Sequence, residues 1–474
     1  MSNNDHYDDL VLGSGEAGKY IAWTLAKSGR RVAVIERELI GGSCPNVACL
    51  PSKNVIYSAR VAALCRRGRE FGVETGPVSI DMLAVRERKR SMVGDLIAVH
   101  RHNYANSGAE LIMGEGRFVA PKTIEVRTDA DAVRNLTGAR IFLDVGTRST
   151  IPDLPGLSEA GALTHVEALE LDHVPEHLVV LGGGYIGLEF AQPMRRFGAR
   201  VTILERGPHV ASREDPDVAA VLEQQYAEEG IEIMLGAKAL EVTGRSGQKV
   251  SVRVSTAAGE RLIEGSELLV ATGRTPNTKD IGLDVAGVQL GERGYINVNE
   301  RLETSAPDIW AMGDCAGSPQ FTHVAFDDYR IVRNNLSGGH RTTSNRLVPY
   351  CVFTDPELGR VGLNESQARR AGVAYRLSKI PMSAVLRTRT LSEPRGFLKA
   401  LVAADGDHLL GFTALGAEAS ELIAAVQIAM LTRASYKRLR DAILTHPTMA
   451  EGLTVLFANE PVRPSEPPQR ETRP

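Results

Sequence analysis

Two cysteines five positions apart, Cys44 and Cys49, have the residue type and spacing for electron transfer. A thiol pair can be oxidised to a disulfide and reduced again, so it can carry two electrons. On an ideal helix five residues rise about 7.5 Å, whereas the Cα atoms of a disulfide rarely lie more than about 6.8 Å apart. The segment must therefore depart from a regular helix, and we expect Pro51 to end or kink it.

The same cysteine pair has two alternative interpretations, a pair of buried thiols without redox function and a metal site. A metal site usually needs two further ligands at short spacing, and none lies nearby in the sequence, so we predict no metal ligands. Cys65, Cys315 and Cys351 bring the total to five, too few for a secreted disulfide scaffold. The nucleotide-binding pattern that precedes the pair favours the redox interpretation.

A dinucleotide-binding fingerprint occurs twice in the chain. Each copy has an apolar strand, a glycine-rich turn, a helix and a second strand that ends in an acidic residue. The first copy contains Gly13, Gly15, Gly18 and Glu36, and the second contains Gly182, Gly184, Gly187 and Glu205. Because strand, helix and acidic residue all recur at the same spacing, the pattern predicts two bound dinucleotides. It disfavours the alternative of a glycine turn in a ligand-free α/β fold.

The glycines and the acidic residue of each copy suit different parts of a dinucleotide, and the acidic residue also affects which nucleotide is preferred. The glycines allow a tight turn, close approach of the backbone to a pyrophosphate, and close packing of helix on strand. The helix N-terminus then offers free N–H groups to the phosphates. We expect Glu36 to accept hydrogen bonds from ribose hydroxyls. Glu205 would repel a 2′-phosphate and so favours NAD, while the adjacent Arg206 leaves NADP possible.

Two pairs of charged residues are weaker candidates. Lys53 follows the cysteines, and Glu189 lies in the first turns of the second nucleotide-binding helix, so a lysine fixed by a glutamate could polarise a flavin ring. Two solvated surface charges explain this pair equally well. His446 and Glu451 could form an acid–base pair that acts on a thiol, although a chance spacing is an equal alternative.

The order of these patterns predicts an interrupted domain organisation. We expect a first nucleotide-binding domain at residues 1–151 that resumes at 276–341, and a second, inserted at 152–275. A third, mixed α and β domain occupies residues 342–460, with a long buried helix at about 417–432. Residues 461–474 are rich in proline and polar residues, so we expect a disordered tail.

Composition and charge exclude several classes of protein. The chain has 474 residues, of which 43% are hydrophobic and 24% charged, and a net charge of −3. This balance argues against nucleic-acid and membrane partners, and no apolar stretch reaches the roughly 18 residues of a spanning helix. The first nine residues lack a signal-peptide pattern, so a cytoplasmic location is expected.

Together these residues resemble the flavin-dependent pyridine nucleotide–disulfide oxidoreductases, which include dihydrolipoamide dehydrogenase, glutathione reductase and the catalytic core of mercuric reductase. The resemblance extends over about residues 7–458, and the segments 41–53 and 304–314 carry it most specifically. It implies an α/β fold with two Rossmann-like domains, one for FAD and one for NAD(P), and a C-terminal α+β dimerisation domain beginning near residue 348.

The resemblance also implies roles for individual residues. Cys49 would lie near the flavin, Cys44 would attack the substrate, and Lys53 and Glu189 would form the flavin-side ion pair. His446 and Glu451 would act on the cysteines of the other subunit, which implies an obligate homodimer. The residues implied for FAD are Gly13, Gly15, Gly18, Glu36, Gly42, Ser43, Lys53, Gly116, Gly146, Thr147, Gly313 and Asp314; those implied for NAD(P) are Gly182, Gly184, Gly187, Glu205, Gly273 and Arg274.

Departures from the family pattern leave the substrate open. Ala48 replaces the usual glycine before the second cysteine, and Asp144-Val145-Gly146 replaces the usual Ala-Thr-Gly. The sequence has no vicinal cysteine pair near residue 474, which a full mercuric reductase would carry. We therefore expect a small disulfide, dithiol or lipoyl-type substrate. The alternatives are a mercuric-type metal reductase, a flavin transhydrogenase or oxidase, and a non-enzymatic redox sensor, which would not need two nucleotide sites.

Overall fold

The computed structural model describes residues 4–128 and 132–464 of the chain. Its first segment comprises β1 (Asn4–Leu12), α1 (Glu16–Lys27), β2 (Val32–Glu36), α2 (Ser43–Asn46), α3 (Cys49–Arg66), a 3₁₀ turn (Gly68–Phe71), α4 (Met82–Ser107), β3 (Glu110–Ala120), β4 (Thr123–Thr128), β5 (Val133–Leu143) and β6 (Thr147–Ser149). Strands β3, β2, β1 and β5 lie side by side and parallel, whereas β4 is antiparallel to β3 and β5. Every residue of β2 is buried, as expected for a parallel strand covered on both faces.

The second segment repeats this plan on a smaller scale. It comprises α5 (His165–Ala168), β7 (His177–Leu181), α6 (Tyr185–Phe197), β8 (Arg200–Leu204), α7 (Pro216–Glu228), β9 (Glu232–Met234), β10 (Lys238–Gly244), β11 (Val250–Thr256), β12 (Gly259–Gly265), β13 (Glu267–Val270) and β14 (Arg274–Pro276). A parallel sheet has the order β13–β7–β8–β9, and β10–β11–β12 form an antiparallel sheet beside it. Strand β14 pairs antiparallel with β6, so the turns at Gly146 and Gly273, where the chain crosses between the first and second segments, lie close together.

The chain then returns to the first sheet. This return comprises β15 (Ile309–Ala311), a 3₁₀ turn (Gly313–Ala316) and α8 (Thr322–Leu336). Strand β15 pairs parallel with β5, with Ile309 opposite Ile141. Helix α8 packs on α1, where the rings of Phe326 and Tyr20 meet edge to face. The first nucleotide-binding unit is therefore built from two parts of the chain separated by the second unit.

The third segment is an antiparallel sheet covered by helices. It comprises β16 (Pro349–Val352), β17 (Glu357–Gly362), α9 (Glu365–Arg370), β18 (Tyr375–Pro381), a 3₁₀ turn (Met382–Ala384), α10 (Leu386–Leu391), β19 (Phe397–Ala403), β20 (Leu409–Gly416), α11 (Ala419–Leu431), α12 (Tyr436–Arg440) and α13 (Glu451–Leu456). The strand order is β16–β17–β20–β19–β18. The two Rossmann-like sheets and this α+β segment confirm the predicted fold class.

Two expectations about this segment need revision. Helix α11, predicted as buried at 417–432, buries one face only, and its Ile428 and Leu431 are 62% and 64% exposed. Val462, at the start of the predicted tail, exchanges two backbone hydrogen bonds with Leu377 on β18. The rest of that predicted tail, residues 465–474, lies outside the described residues. Within residues 4–128 and 132–464, no helix combines the length and apolar character needed to cross a bilayer.

A buried lysine fastens the third segment to the second. Lys399 on β19 is fully buried, and its Nζ donates to Asp215 at 2.8 Å, Asp217 at 2.9 Å and Glu365 at 3.2 Å. Asp215 immediately precedes α7 and also accepts the backbone N–H groups of Glu365 and Ser366. Burial by itself would raise the pKa of Asp215, but the hydrogen bond and charge of Lys399, together with the hydrogen bonds from Ser366, outweigh burial and lower this pKa to about 2.

We expect Lys399→Ala to destabilise the protein by about 3–5 kcal/mol, because it leaves buried carboxylates without their counter-charge. The measurement is the midpoint of urea unfolding at neutral pH. Lys437→Ala is the matched control, because Lys437 pairs with Asp407 at 2.9 Å on the exposed surface, where ion pairs contribute little. Equal midpoints for the two variants would contradict a stabilising role for the buried cluster.

Candidate active site

The two cysteines lie on separate helical elements. Cys44 belongs to α2 and Cys49 opens α3, and the intervening Val47 and Ala48 have extended φ angles of −139° and −131°. This break provides the departure from a regular helix that the spacing required. Both cysteines are free thiols and partly exposed, which is the reduced state of the predicted couple. Pro51 neither ends nor kinks α3, contrary to expectation, because first-turn N–H groups have no intrahelical partner to lose.

The thiol pair is polarised so that one sulfur ionises easily. Hydrogen bonding with Cys44 lowers the pKa of Cys49 to about 6, and the Thr322 hydroxyl and the Lys53 ammonium act in the same direction. The same interaction with Cys49, followed by burial, raises the pKa of Cys44. At pH 7 Cys49 is therefore a thiolate that accepts a hydrogen bond from the Cys44 thiol. Such an ionised sulfur is the form that takes part in exchange reactions.

Thr322 is a site residue that the sequence did not reveal. It is the first residue of α8, and its Oγ1 lies 3.3 Å from Cys49 Sγ across 273 positions of sequence. The N-terminus of a 15-residue helix also carries partial positive charge that favours a nearby thiolate. A threonine at the start of a helix is common, so only the folded chain singles it out.

Lys53 and Glu189 meet although they belong to different segments. Lys53 Nζ lies 2.6 Å from Glu189 Oε2, and Glu189 Oε1 accepts the backbone N–H of Phe353 at 2.8 Å. The Lys53 ammonium also stands 4.9 Å from the centre of the Phe353 ring. Glu189 is only 9% exposed, which does not fit two independently solvated charges. Helices α3 and α6 are therefore joined next to the thiol pair.

The first glycine turn and the cysteine segment are in direct contact. A Cβ atom added to Gly42 would lie 2.7 Å from the Cα of Gly15, so both positions need glycine. Glu36 Oε2 accepts the backbone N–H and hydroxyl of Ser14, at 2.8 and 2.7 Å. Ser43 follows Gly42 as the first residue of α2. This open backbone cradle at a helix N-terminus fits a dinucleotide pyrophosphate, and Glu36 is fixed beside it.

Thr147, Gly313 and Asp314, which are predicted to bind FAD, take part in a group of hydrogen bonds. Thr147 Oγ1 donates to Asp314 at 2.6 Å, and Arg274 Nε donates to Thr147 Oγ1 at 2.7 Å. Gly313 donates its N–H to Asp328 at 2.7 Å. Arg274 was assigned to NAD(P), yet its contacts in the structure are with Thr147 and Asp314, which were assigned to FAD. The pairing of β14 with β6 places Arg274 beside these residues.

Three other predicted binding residues are glycines explained by packing or by backbone conformation. Gly116 lies within β3, where an added Cβ would meet Leu12 at 2.7 Å and also Ile35 and Ile124, so it relieves crowding in the core. Gly146 has a φ of 62° and Gly273 a φ of 135°, and both occupy the crossings between the units. These glycines shape the backbone around the nucleotide-binding units.

The second glycine turn reproduces the first. Glu205 Oε2 accepts the N–H of Gly183 at 2.7 Å, as Glu36 accepts that of Ser14, and Oε1 accepts the N–H of Gly207 at 2.7 Å. An added Cβ on Gly187 would collide with the carbonyl of Gly182, which accounts for the third glycine. Gly184 precedes α6 directly. The turn thus offers a second open helix N-terminus with a fixed carboxylate.

Aromatic residues missed by the sequence reasoning connect this turn to the third segment. Tyr185 opens α6, and its hydroxyl and that of Tyr350 both donate to Glu214 Oε1. The Tyr185 and Tyr350 rings are 5.9 Å apart, and Phe321 stacks on Tyr350 at 5.4 Å. Phe321 directly precedes Thr322. Residues from four distant segments make this group, so no local sequence signal could have found it.

His446 and Glu451 meet each other but stand apart from the thiols. His446 Nδ1 lies 3.0 Å from one Glu451 oxygen and 3.1 Å from the other. The hydrogen bond with His446 lowers the pKa of Glu451. The His446 side chain is 63% exposed. Across residues 4–128 and 132–464 of a single chain, this pair has no hydrogen bond to either cysteine. Nor do these residues contain a group of three or more metal-binding side chains placed to hold an ion.

Comparison with known protein families gives two matches that together span most of the chain. Residues 7–328 match the pyridine nucleotide-disulphide oxidoreductase family, and residues 348–456 match its dimerisation domain. These two stretches contain every predicted site residue.

Individual relatives extend over almost the whole chain. A probable pyridine nucleotide-disulfide oxidoreductase, RclA of Escherichia coli (strain K12), is 36% identical over 95% of this chain and 99% of its own length. A mercuric reductase of Staphylococcus aureus is 33% identical over 96% of this chain and 82% of its own. A solved structure, the Cu(II) complex of the HOCl-induced flavoprotein disulfide reductase RclA from E. coli, superposes with a TM-score of 0.87 at 35% identity, covering 96% of this chain and 99% of that one.

We expect Thr322→Val to raise the pKa of Cys49 by about half to one pH unit, because it removes one hydrogen bond to the thiolate. Because this pKa is depressed, the thiolate persists above it and is lost as the pH falls. The variant should therefore lose thiolate absorbance at a higher pH than the wild type during acid titration of the reduced protein. Thr322→Ser keeps the hydroxyl and should titrate like the wild type. If Thr322→Val and the wild type titrated identically, Thr322 would have no role in stabilising the Cys49 thiolate.

Proposed function

The chain belongs to the pyridine nucleotide-disulphide oxidoreductase family, and we propose that it reduces a disulfide substrate through Cys44 and Cys49. It is an FAD-dependent oxidoreductase that uses NAD(P)H, and its third segment makes it a homodimer. The observation that carries the proposed cysteine route is the polarised thiol pair, which lies next to the first glycine turn and beside the Lys53–Glu189 ion pair.

The proposed exchange at the thiols conserves atoms and electrons. Cys44, once deprotonated, attacks the substrate disulfide, so one substrate sulfur leaves as a thiolate and a mixed disulfide forms. The Cys49 thiolate then attacks Cys44 Sγ and releases the second substrate thiolate. The two substrate thiolates take up two protons, one of which is the proton released from Cys44 and the other comes from solvent; the substrate disulfide is reduced by two electrons, and a Cys44–Cys49 disulfide remains. When bound, FAD supplies the link that passes two electrons from NAD(P)H to this disulfide.

The neighbouring charges support these separate roles, in which Cys44 attacks the substrate and Cys49 attacks Cys44. Cys49 is the better nucleophile within the protein because it is already ionised at neutral pH. Cys44 has a raised pKa and needs a base before it can attack substrate. Lys53 is held by Glu189 and by the ring of Phe353, so its charge has a fixed position near Cys49. Replacing the usual glycine by Ala48 leaves this arrangement intact, since Ala48 has a negative φ.

We assign the base for Cys44 to His446 of the partner subunit, oriented by Glu451. Three observations support this assignment. His446 has no contact with its own cysteines, its ring is well exposed, and both Glu451 oxygens hold its Nδ1. The nearby Ile443 is also fully exposed in the single chain, as are parts of Ile428 and Leu431 on α11. An apolar surface of this kind is suited to burial against a second subunit.

Glu205 supports NADH as the preferred hydride donor. Its two carboxylate oxygens are fixed by the backbone N–H groups of Gly183 and Gly207. A fixed carboxylate can hydrogen-bond a free 2′-hydroxyl and repels a 2′-phosphate. The adjacent Arg206 is exposed, and among the described residues it forms no ion pair that would neutralise the Glu205 carboxylate.

Hg(II) reduction is the second candidate function, since mercuric reductases are among the relatives. The two functions share the thiol pair and differ in the species it meets. An anaerobic NADH titration followed by lipoamide, glutathione disulfide, coenzyme A disulfide and Hg(II) separates them. Reoxidation of the reduced enzyme by a disulfide supports the first function, and reoxidation by Hg(II) alone supports the second.

We expect Cys49→Ser to abolish NADH-driven disulfide reduction while FAD stays bound and is still bleached by NADH. The serine hydroxyl cannot close the protein disulfide, but the nucleotide cradles are untouched. Steady-state turnover and anaerobic flavin absorbance are the measurements. Cys65→Ser, on the same helix but outside the site, should behave like the wild type. Undiminished turnover by Cys49→Ser would refute the cysteine route.

For His446→Ala we expect substrate exchange to slow by about 10²–10⁴-fold, the usual contribution of a general base. Flavin reduction by NADH should change little, because the proposed role of His446 is confined to proton transfer at Cys44. Stopped-flow absorbance resolves the two half-reactions. His340→Ala replaces another exposed histidine and is the control. A larger effect on flavin reduction than on exchange would reject the assignment.

A further inference from the structure

Asp144 is a buried carboxyl group placed among the glycines predicted to bind FAD. It follows β5 directly and is only 7% exposed. A Cβ added to Gly15 would lie 2.6 Å from its Oδ2, and one added to Gly313 would lie 2.8 Å from its Oδ1. The carboxyl is thus enclosed by the first glycine turn on one side and by the segment after β15 on the other.

One oxygen of this carboxyl occupies the N-terminus of α1. Asp144 Oδ2 accepts the N–H of Gly18 at 2.7 Å, in the first turn of the helix. In the part of the chain that the structure describes, this is the one hydrogen bond made by the Asp144 side chain. Among the described residues, Oδ1 therefore has no hydrogen-bond partner, and it lies close to Gly15 and Gly313, which have no side chains to cover it.

Three acidic residues, Glu16, Asp314 and Asp328, lie near enough to Asp144 to disfavour its ionisation. The titratable and charged groups near it are Glu16 and Lys19 on α1, Tyr104 on α4, Asp314 and Cys315 in the 3₁₀ turn, Asp328 on α8, and Arg346, which pairs with Asp328. The two cations are already engaged, because Lys19 lies 2.7 Å from Glu16 and Arg346 lies 2.5 Å from Asp328. Among residues 4–128 and 132–464, no cation forms an ion pair with Asp144.

These surroundings favour the neutral form of Asp144. Burial raises its pKa well above the usual range, and the charges of Asp314, Asp328 and Glu16 act in the same direction, while the Gly18 N–H opposes them. A neutral carboxyl that accepts through Oδ2 carries its proton on Oδ1. It is then a hydrogen-bond donor, whereas the ionised form can only accept.

We propose that Asp144 is protonated in the holoenzyme and donates a hydrogen bond through Oδ1 to the FAD pyrophosphate. This rests on FAD occupying the first glycine turn, as proposed above. An alanine, usual at this position in the family pattern, has no such donor. Ionised Asp144 would instead place a negative charge against the pyrophosphate, so FAD is held tightly below the pKa of Asp144 and more weakly above it.

The test is the rate of FAD release from the holoenzyme, followed by the fluorescence of free FAD, from about pH 6 to about pH 10. Wild-type release should accelerate by about tenfold to a hundredfold across this range, as expected when a hydrogen bond to a charged group is lost. Asp144→Asn is uncharged at every pH and keeps a donor, so its release should stay slow and independent of pH. Asp144→Ala should release FAD faster than Asp144→Asn at about pH 6.

A neighbouring thiol provides the control. Cys315 is fully buried beside Asp144, and burial raises its pKa, so it is a second group that could titrate there. Cys315→Ser removes that titration and should keep the wild-type dependence on pH. If it abolishes the dependence, or if Asp144→Asn releases FAD with the wild-type profile, the proposal is overturned.

Infrared spectroscopy of the wild-type holoenzyme keeps the proposal testable if Asp144→Asn fails to fold. A protonated carboxyl band that disappears over the same pH range as FAD release accelerates would support it, and absence of that band at the acid end would overturn it. The outcome is separable from the proposed function. If the enzyme keeps FAD and reduces disulfides but its rate of FAD release does not depend on pH, the proposed function stands and only the role of Asp144 is rejected.

Discussion

The ionised sulfur of Cys49 is the feature on which the rest of the structure depends. A thiolate that is partly withdrawn from water must be stabilised by fixed donors and charges, because solvent no longer does so. Here the donors are the Cys44 thiol and the Thr322 hydroxyl, and the charge is that of Lys53. These groups come from α2, α8 and α3, so the pKa of one sulfur requires several parts of the fold to be in register.

The glycine turns impose the complementary constraint. Two backbone segments, at Gly15 and Gly42, approach closely enough that a single added Cβ would force them apart. That closeness brings the cysteine segment against the nucleotide cradle, which is where electrons must pass over a short distance. The same crowding places Asp144 at the end of α1, where an acidic residue is tolerated because the helix N-terminus supplies a donor. The residues proposed for thiol exchange and for FAD retention therefore belong to neighbouring parts of one region.

Rigid attachment between units maintains this geometry. Glu189 reaches from the second unit to Lys53 in the first, and to the backbone of Phe353 in the third. Lys399 binds the second and third units through buried carboxylates, and Tyr185, Tyr350 and Glu214 add a further link close by. Shared ion pairs and hydrogen bonds of this kind fix the relative positions of segments that are hundreds of residues apart. The site is a property of their junction and belongs to no single unit.

The sequence by itself determined the elements whose causes are local. The glycine turns, the acidic residues Glu36 and Glu205, and the cysteine pair follow from backbone geometry and residue type over short stretches, and α1, β2, α6 and β8 are the helices and second strands that the repeated pattern predicted. Only the tertiary structure decided which other distant residues meet: Thr322 at Cys49, Arg274 at Thr147, and Asp144 within the cradle. The physical reason is that close approach, burial and electrostatic environment depend on three-dimensional packing, which nearest neighbours along the chain do not encode.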